Sequence, residues 1–308
     1  MQSPALPPAS AAAAPTQTHY ENFPVASWLC PAPLRPPIAA IYWFARTADD
    51  IADEGDADTP TRLQQLADYR AELARAALPA NSTDAAPLAW PEVFVPLRAA
   101  IHGFNLPVPL LKDLLSAFEQ DIHRTASGAL YADRAELLDY CRRSANPVGR
   151  LLLHLYGVRD AASLAQSDAI CTALQLINFW QDPSRDLPRG RNYFTQEDCT
   201  RHGVTLTDLQ ALRQTPETTK LIADCTEWSW ATMQTGLQLV HTVPGRAGWE
   251  LRLVVQGGLR IVDKIRASGY RTLATRPQVG KLDAPVMLWR SLCMRSQRTP
   301  ANRDNPTP

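Results

Sequence analysis

The sequence predicts an all-α protein, because apolar residues recur at helical spacing nearly everywhere and strand-like alternation is absent. Clusters of proline and glycine cut the chain into helix-length pieces. A length of 308 residues would allow two domains, but no internal linker or repeat is visible, so a single domain is expected. The predicted helices span 37–54, 60–78, 89–102, 107–125, 133–156, 159–182, 217–241, 246–268 and 282–296.

Both ends of the chain differ in composition from the rest. Residues 1–16 are alanine, proline and serine with hardly a large apolar side chain, so they cannot bury enough surface to become ordered. Residues 297–308 are similar. We therefore predict disordered tails at 1–16 and 297–308 and one folded catalytic domain at 17–296.

The overall composition excludes several classes of function. The 31 basic residues balance 31 acidic ones, which argues against a nucleic-acid partner. No run approaches about 18 uninterrupted apolar residues, and the N-terminus lacks the pattern of a secretory signal. The six cysteines show no CxxC pair and no zinc-type spacing, which is typical of reduced thiols in a cytoplasmic protein.

The first predicted helix ends in a group of carboxylates. Asp49 and Asp53 lie four residues apart, and Asp50 is at helical spacing from both Asp53 and Glu54. Arg46 lies one turn earlier on the same face. Oxygen ligands of this kind suit Mg²⁺, and the neighbouring guanidinium suits a phosphate.

The helix predicted at 107–125 carries Phe118, Asp121 and Arg124 on one stripe. An aspartate and an arginine at this spacing usually form a surface pair that contributes a few tenths of a kcal/mol. We expect structural support from these residues rather than chemistry.

The helix predicted at 133–156 contains two residues that disfavour a regular helix. Pro147 removes a backbone donor, so a kink is expected that turns Asn146 toward the interior. Gly149 costs roughly 1 kcal/mol relative to alanine, which indicates close approach of either a ligand or a neighbouring helix. Arg150 is either a phosphate ligand or a simple surface charge.

A second acidic group lies at 175–194, in the sequence QLINFWQDPSRDLPRGRNYF. Asn178, Asp182 and Asp186 recur every four residues, which places them on one helix face. One acidic face is usually just solvated, but two such pairs about 130 residues apart favour a shared metal–phosphate site. The predicted Mg²⁺ ligands are Asp49, Asp50, Asp53, Asp182 and Asp186.

Pro183 complicates the second pair. Proline disfavours helical backbone at the preceding residue, here Asp182. Either the helix kinks and keeps both carboxylates directed inward, or it ends at Asp182 and Pro183 opens a new turn.

These motifs, with RGRxY after the second pair, resemble the squalene/phytoene synthase family of head-to-head prenyl transferases. HYENFPVAS, LRPPIAAIYWFARTADDIADEGD, YCRRSANPVGRLLL and QLINFWQD resemble its bacterial hydroxysqualene synthase branch, which serves hopanoid biosynthesis. The resemblance covers roughly His19 to Arg276. It implies an isoprenoid-synthase-type helical bundle around a central cavity. It further implies Mg²⁺-assisted loss of diphosphate from presqualene diphosphate, carbocation rearrangement and quenching by water to hydroxysqualene.

Roles for single residues follow from this resemblance together with the spacing. The expected diphosphate-binding residues are Ser27, Arg46, Arg150, Arg191 and Tyr193. Tyr42 is expected to stabilise a carbocation through its ring face. Asn146 and Asn178 are the candidates for holding the attacking water, although Asn178 has a competing role beside the metal.

Alternative functions remain open at the level of sequence. Hydride from NADPH would give squalene instead of an alcohol, but no GxGxxG motif is present and no NADPH is expected. Presqualene diphosphate, squalene or phytoene synthesis is the alternative within the family. A non-catalytic helical scaffold subunit is the alternative outside it. We also expect functional coupling to presqualene diphosphate synthase and peripheral contact with the inner membrane face, since the substrate is a lipid.

Overall fold

The structure is a computed structural model that describes residues 30–79 and 88–294. The predicted tails at 1–16 and 297–308, and Ser27, lie outside the described residues. In the described residues the chain is helical and contains no β-strand, which confirms the predicted all-α class. A single backbone bridge joins Tyr131 and Thr195 in this part of the chain.

Fourteen α-helices are found among the described residues. They are α1 (Arg35–Asp53), α2 (Thr59–Ala76), α3 (Pro91–Phe104), α4 (Val108–Ser127), α5 (Arg134–Ser144), α6 (Asn146–Leu155), α7 (Ala161–Gln181), α8 (Pro183–Asp186), α9 (Gln196–His202), α10 (Leu206–Gln210), α11 (Pro216–Gly236), α12 (Leu239–Thr242), α13 (Gly245–Ala267) and α14 (Ala284–Cys293).

The interior consists of two apolar clusters. One joins α1 to α4 with part of α6, and at its centre the Tyr69 hydroxyl donates to the Phe44 carbonyl at 3.1 Å. The other joins α5, α7 and the helices from α9 to α13. Each aspartate motif thus belongs to a different cluster, since α1 contributes to the first and α7 to the second.

Helix α7 lies at the centre of the second cluster and packs against α6, α11 and α13. Where α6 crosses it, a Cβ at Gly149 would collide with the Ser167 hydroxyl and would lie 2.5 Å from Cys171 Sγ. Close approach of a neighbouring helix is therefore the reason for glycine at this position, rather than approach of a ligand.

Helix boundaries differ from the predictions in three places. The predicted 133–156 helix divides at Ala145, because Pro147 is best accommodated in the first turn of a helix, so the predicted break is confirmed. The predicted 217–241 helix divides at Leu237–Gln238. The short helices α9 and α10 were not predicted, although Thr195 and Thr205 cap their first turns. None of the helices in the described part of the chain is long and apolar enough to span a membrane.

Candidate active site

The first aspartate motif lies at the C-terminal end of α1 and is held by Arg46. The Arg46 guanidinium lies 3.3 Å from Asp49, 2.7 Å from Asp50 and 3.8 Å from Glu54. One arginine thus offsets the repulsion among three carboxylates on its own helix. The opposite face of α1 is buried through Phe44 and Ala48, which fixes the direction of the motif.

The second motif spans the junction of α7 and α8. Helix α7 ends at Gln181, and Asp182 has φ −107° and ψ 15°, outside the helical region. Pro183 then begins α8, and the Asp182 carbonyl accepts from the amides of Arg185 at 2.8 Å and Asp186 at 3.0 Å. Of the two outcomes considered for Pro183, the helix ends and a new turn opens.

Arg191 links the two motifs. Its guanidinium donates a hydrogen bond to Asp53 of α1, and the pair is mostly shielded from solvent. Burial raises the pKa of Asp186 to about 6, while Arg191 lowers it and the charges of Asp182 and Asp53 raise it further. Asp53 of α1 thus contacts this guanidinium directly, and Asp186 of α8 lies within electrostatic range of it.

Asp182 has two further partners. Arg276, in the segment after α13, makes a two-pronged ion pair with it, with one contact from Nη2 to Oδ2 at 3.0 Å. Asn178 donates to the same Oδ2 at 3.1 Å. Sequence patterns gave no signal for Arg276, because it follows Asp182 by 94 residues and lies outside any helix.

A third carboxylate, from α4, lies beside the motifs. Asp121 accepts a hydrogen bond of 2.5 Å from the Tyr140 hydroxyl. Burial raises the pKa of Asp121 to about 7; the Tyr140 hydrogen bond lowers it, and the charges of Asp53 and Asp49 raise it. Asp121 therefore lies within electrostatic range of the first motif, and the expectation that it gives structural support rather than chemistry stays a prediction.

Tyr193 of the RGRxY motif is held by stacking. Its ring lies 3.7 Å from that of Phe179, with planes 10° apart. Burial, with the charges of Asp121 and Asp186 adding to it, holds the pKa of Tyr193 well above its ordinary value. The hydroxyl therefore remains a neutral hydrogen-bond donor near the two carboxylates.

Two small clefts meet at the loop that carries Arg191, Asn192 and Tyr193. One contains about 280 Å³ of space, open solvent included, beside Asp121 and Tyr131. The other contains about 170 Å³ on the same measure, beside Asp186 and Trp180. Asn192 and Trp180, which line the second cleft, each have a buried side-chain N–H donor, Nδ2 and Nε1, without a hydrogen-bond partner among the described residues. Donors of this kind suit the oxygens of an anion such as a diphosphate.

The squalene/phytoene synthase family model matches residues 16–283. The chain belongs to the squalene/phytoene synthase family. It is 34% identical to a hydroxysqualene synthase of Rhodopseudomonas palustris over 80% of each chain. It is 30% identical to a phytoene synthase of Thermus thermophilus over 88% of each chain. The crystal structure of squalene synthase HpnC from Alicyclobacillus acidocaldarius has a TM-score of 0.72 and 37% identity, covering 82% of this chain and 90% of that chain.

The carboxylates of the two aspartate motifs are compatible with Mg²⁺ only together with further ligands. Among the residues described, no three acidic, histidine or cysteine side chains converge closely enough to hold a metal by themselves. Mg²⁺ is commonly bound through one or two carboxylates together with waters and substrate phosphates. The two aspartate pairs, flanked by arginines, fit a metal that arrives with a diphosphate.

Arg150 is a correction to the predicted diphosphate-binding set. It makes a two-pronged ion pair with Asp168, at 2.8 and 2.6 Å. Asp168 precedes Asp182 by 14 residues along α7, which corresponds to roughly 21 Å at the usual helical rise. Arg150 is therefore a structural charge far from the aspartates, because Asp168 provides a nearby partner.

The two remaining predicted catalytic residues differ in their distance from the aspartate motifs. Asn146 is buried at the start of α6 and accepts a hydrogen bond of 2.9 Å from Thr172. Thr172 precedes Asp182 by ten residues, roughly 15 Å along α7. Tyr42 is half-buried on α1, one turn before Arg46, with its ring 5.3 Å from that of Trp43.

Proposed function

We propose that this protein is a hydroxysqualene synthase, which releases diphosphate from presqualene diphosphate and quenches the resulting carbocation with water. The likeness to the Rhodopseudomonas hydroxysqualene synthase carries the proposal, because it extends over four-fifths of both chains. The geometry is compatible with it, since Arg191 joins two aspartate motifs at one pair of clefts.

In this proposal the chain binds the diphosphate through its arginines and neutral donors. Arg46 and Arg191 can each present two parallel N–H groups to phosphate oxygens, and Tyr193 adds a hydroxyl. Asp49, Asp53, Asp182 and Asp186 would hold Mg²⁺, which supplies charge neutralisation for the departing diphosphate when bound. Asp50, which shares Arg46, would complete the acidic group.

The carbocation requires an apolar chamber with few nucleophiles. The rings of Phe179 and Tyr193 lie beside the second motif, and Tyr42 lies one turn from Arg46. Attraction between a cation and each aromatic face contributes about 0.5–2 kcal/mol. Asn146 is proposed to position the quenching water, because it places a polar amide in the bundle interior, and Asn178 is proposed to orient Asp182.

The proposal is tested by supplying purified protein with presqualene diphosphate and Mg²⁺ in ¹⁸O-labelled water, with and without NADPH. We expect diphosphate release and an alcohol that contains the label, in equal amounts with and without NADPH. Squalene formed only with NADPH, or an alcohol without the label, would contradict the proposed quench.

A condensing activity is the second candidate, because the chain also resembles a phytoene synthase over 88% of its length. Incubation with farnesyl diphosphate alone distinguishes the two, since only a condensing enzyme would form presqualene diphosphate. Protein that releases no diphosphate from either substrate would point to a scaffold role.

A hydroxysqualene synthase would depend on a presqualene diphosphate synthase for its substrate, which is the functional coupling that we propose.

A further inference from the structure

The C-terminal helix α14 presents an apolar surface to solvent. We call this surface the outer face of α14; it comprises Val286, Leu288, Trp289 and Leu292 of the helix together with Leu282, which lies in the turn just before it. Leu282 is 93% exposed, Trp289 67%, and Leu288 and Leu292 54% each. Contiguous apolar groups of this size on a protein surface commonly mark an interaction site.

The opposite side of α14 is anchored, so the outer face has a fixed orientation. Ser291 is buried, and its carbonyl faces Arg252 of α13 at 3.5 Å. Arg290, the only charged residue within α14, is partly exposed and pairs with Asp263 of α13 at 2.5 Å. Just before the helix, Asp283 pairs with Arg260 and Lys264 of α13. The outer face therefore contains no charged side chain.

Basic residues surround this apolar face in the sequence. The whole chain is neutral, but residues 281–308 carry five basic side chains and two acidic ones. The basic residues are Lys281, Arg290, Arg295, Arg298 and Arg303, and the acidic residues are Asp283 and Asp304. An uncharged, tryptophan-containing helix face is thus combined with a local excess of three positive charges.

We propose that the outer face of α14 docks onto the surface of an anionic lipid bilayer. Helices that lie in a membrane interface combine an apolar face containing tryptophan and leucine with basic residues that attract anionic headgroups. The charge favours lipid over a second copy of this chain. A second copy would carry the same local excess of positive charge, and like charges repel, whereas anionic headgroups attract this charge.

The position of α14 relative to the candidate active site supports this occupant. Arg276 pairs with Asp182, and Gln181 donates to the Pro277 carbonyl at 2.7 Å. The chain runs from these contacts directly into α14. A docked α14 would hold the site beside the bilayer, which suits the thirty-carbon substrate; this last point alone rests on the proposed function.

Sedimentation with lipid vesicles tests the surface without any substrate. Full-length protein is mixed with sucrose-loaded vesicles of phosphatidylcholine, either alone or with phosphatidylglycerol. We expect binding to the anionic vesicles that is at least tenfold weaker in the double variant Leu288→Ser/Trp289→Ser. Lys281→Gln should weaken it about fivefold, the usual contribution of one basic residue near an anionic surface.

The matched control is Val95→Ser on α3, since Val95 is 57% exposed and distant in sequence from α14. It should bind vesicles like the parent. Diphosphate release from detergent-dispersed presqualene diphosphate should be equal in all variants, so that loss of docking is distinguished from failure of the proposed function.

Three results would overturn the proposal. The first is binding that the double variant leaves intact, or no binding at all. The second is a dimer in sedimentation velocity that the double variant dissociates, which would assign the face to a second copy. The third is a monomer in which, without lipid, intramolecular cross-linking joins the outer face to another segment of this chain, which would assign the face to that segment.

Discussion

Arg191 is the residue on which the geometry of the site depends most directly. Its guanidinium contacts Asp53 on one motif and lowers the pKa of Asp186 on the other. A lysine would retain the charge but could not reproduce two parallel hydrogen bonds from a planar group. Replacing Arg191 with lysine should therefore impair activity even though the charge is retained, because the planar shape of the side chain is lost.

Arg191→Lys is expected to lower the turnover of diphosphate release about 10- to 100-fold, the range expected for one or two lost charge-assisted hydrogen bonds. Arg46→Lys should act similarly. The matched control is Arg142→Lys, because Arg142 is exposed and pairs with Asp139 within its own helix. Steady-state kinetics equal to those of the parent in both active-site variants would show that these arginines are ordinary surface charges.

Asp121 predicts a dependence of stability on pH. Its pKa is raised from 3.8 to about 7, so between about pH 4 and pH 7 the folded protein holds a proton that the unfolded chain releases. Stability therefore falls as pH rises through this window. Asp121→Asn cannot titrate, so it does not lose this stability. Its free energy of unfolding, relative to that of the parent, should therefore rise by roughly 2–4 kcal/mol from pH 4 to pH 8.

Urea unfolding in EDTA at both pH values measures this difference. Asp139→Asn is the control of opposite sign, since the Arg142 hydrogen bond lowers the pKa of Asp139. The Asp139 carboxylate stabilises the folded state above the pKa that it has in the unfolded chain, and this stabilisation is lost as pH falls. A difference in unfolding free energy between Asp121→Asn and the parent that does not change with pH would contradict the raised pKa of Asp121.

Asn146 offers a test of product control. Asn146→Leu removes the amide that accepts from Thr172 in the bundle interior. If this amide positions the water, the variant should still release diphosphate but should form eliminated or rearranged hydrocarbons in place of the alcohol. Gas chromatography with mass spectrometry measures the alcohol fraction, and an unchanged fraction would remove Asn146 from the mechanism.

At the level of elements, the crossing of α6 over α7 is set by a single glycine. A methyl group at Gly149 would meet Ser167 and Cys171 at less than van der Waals distance. Both neighbours belong to the central helix, which ends one residue before Asp182. A shift of α7 would consequently move the second aspartate motif.

Gly149→Ala is expected to destabilise the fold by about 1–3 kcal/mol, the usual effect of overpacking a close contact. Gly103→Ala is the matched control, because Gly103 lies within α3 and a methyl group there would meet no atom of the described residues within 4 Å. It should be neutral or gain about 0.5–1 kcal/mol from better helix propensity. Equal chemical denaturation midpoints for the two variants would show that α6 and α7 can move apart without loss of stability.

Features that depend on local spacing were predictable from the sequence. The aspartate pairs lie one turn apart because helical spacing is a local property, and the break at Asn146–Pro147 follows from the chemistry of proline. Features that depend on distant partners were not. Arg150 was assigned to phosphate because its partner was not recognised. That partner, Asp168, lies 18 residues away on the next helix, and a pattern within one helix does not reveal it.

Arg276 and Tyr140 were missed for the same reason. Arg276 meets Asp182 across 94 residues, and Tyr140 meets Asp121 across 19 residues and two helices. The helices α9 and α10 were missed because each is shorter than two turns and shows no apolar period, although their capping threonines were a usable signal.

At the scale of the whole molecule, the site lies between the two apolar clusters. Asp49 belongs to α1 in one cluster, and Asp182 follows α7 in the other. Arg191 contributes one charged contact between the motifs. A ligand that engages both aspartate pairs should therefore hold the two halves together and stabilise the folded state.

Mg²⁺ with inorganic diphosphate is expected to raise the melting temperature by about 5 °C or more at saturating concentration, since binding at 100 times Kd contributes about 2.7 kcal/mol. Asp49→Ala and Asp182→Ala should each abolish the shift and lower turnover by several orders of magnitude, because each removes the ligands of one half. Asp139→Ala, a surface carboxylate of α5, should keep the full shift. Differential scanning fluorimetry gives the shifts, and circular dichroism checks that both site variants remain helical. A shift that survives loss of either aspartate, or that occurs equally in EDTA, would show that the two motifs do not bind one metal–diphosphate complex.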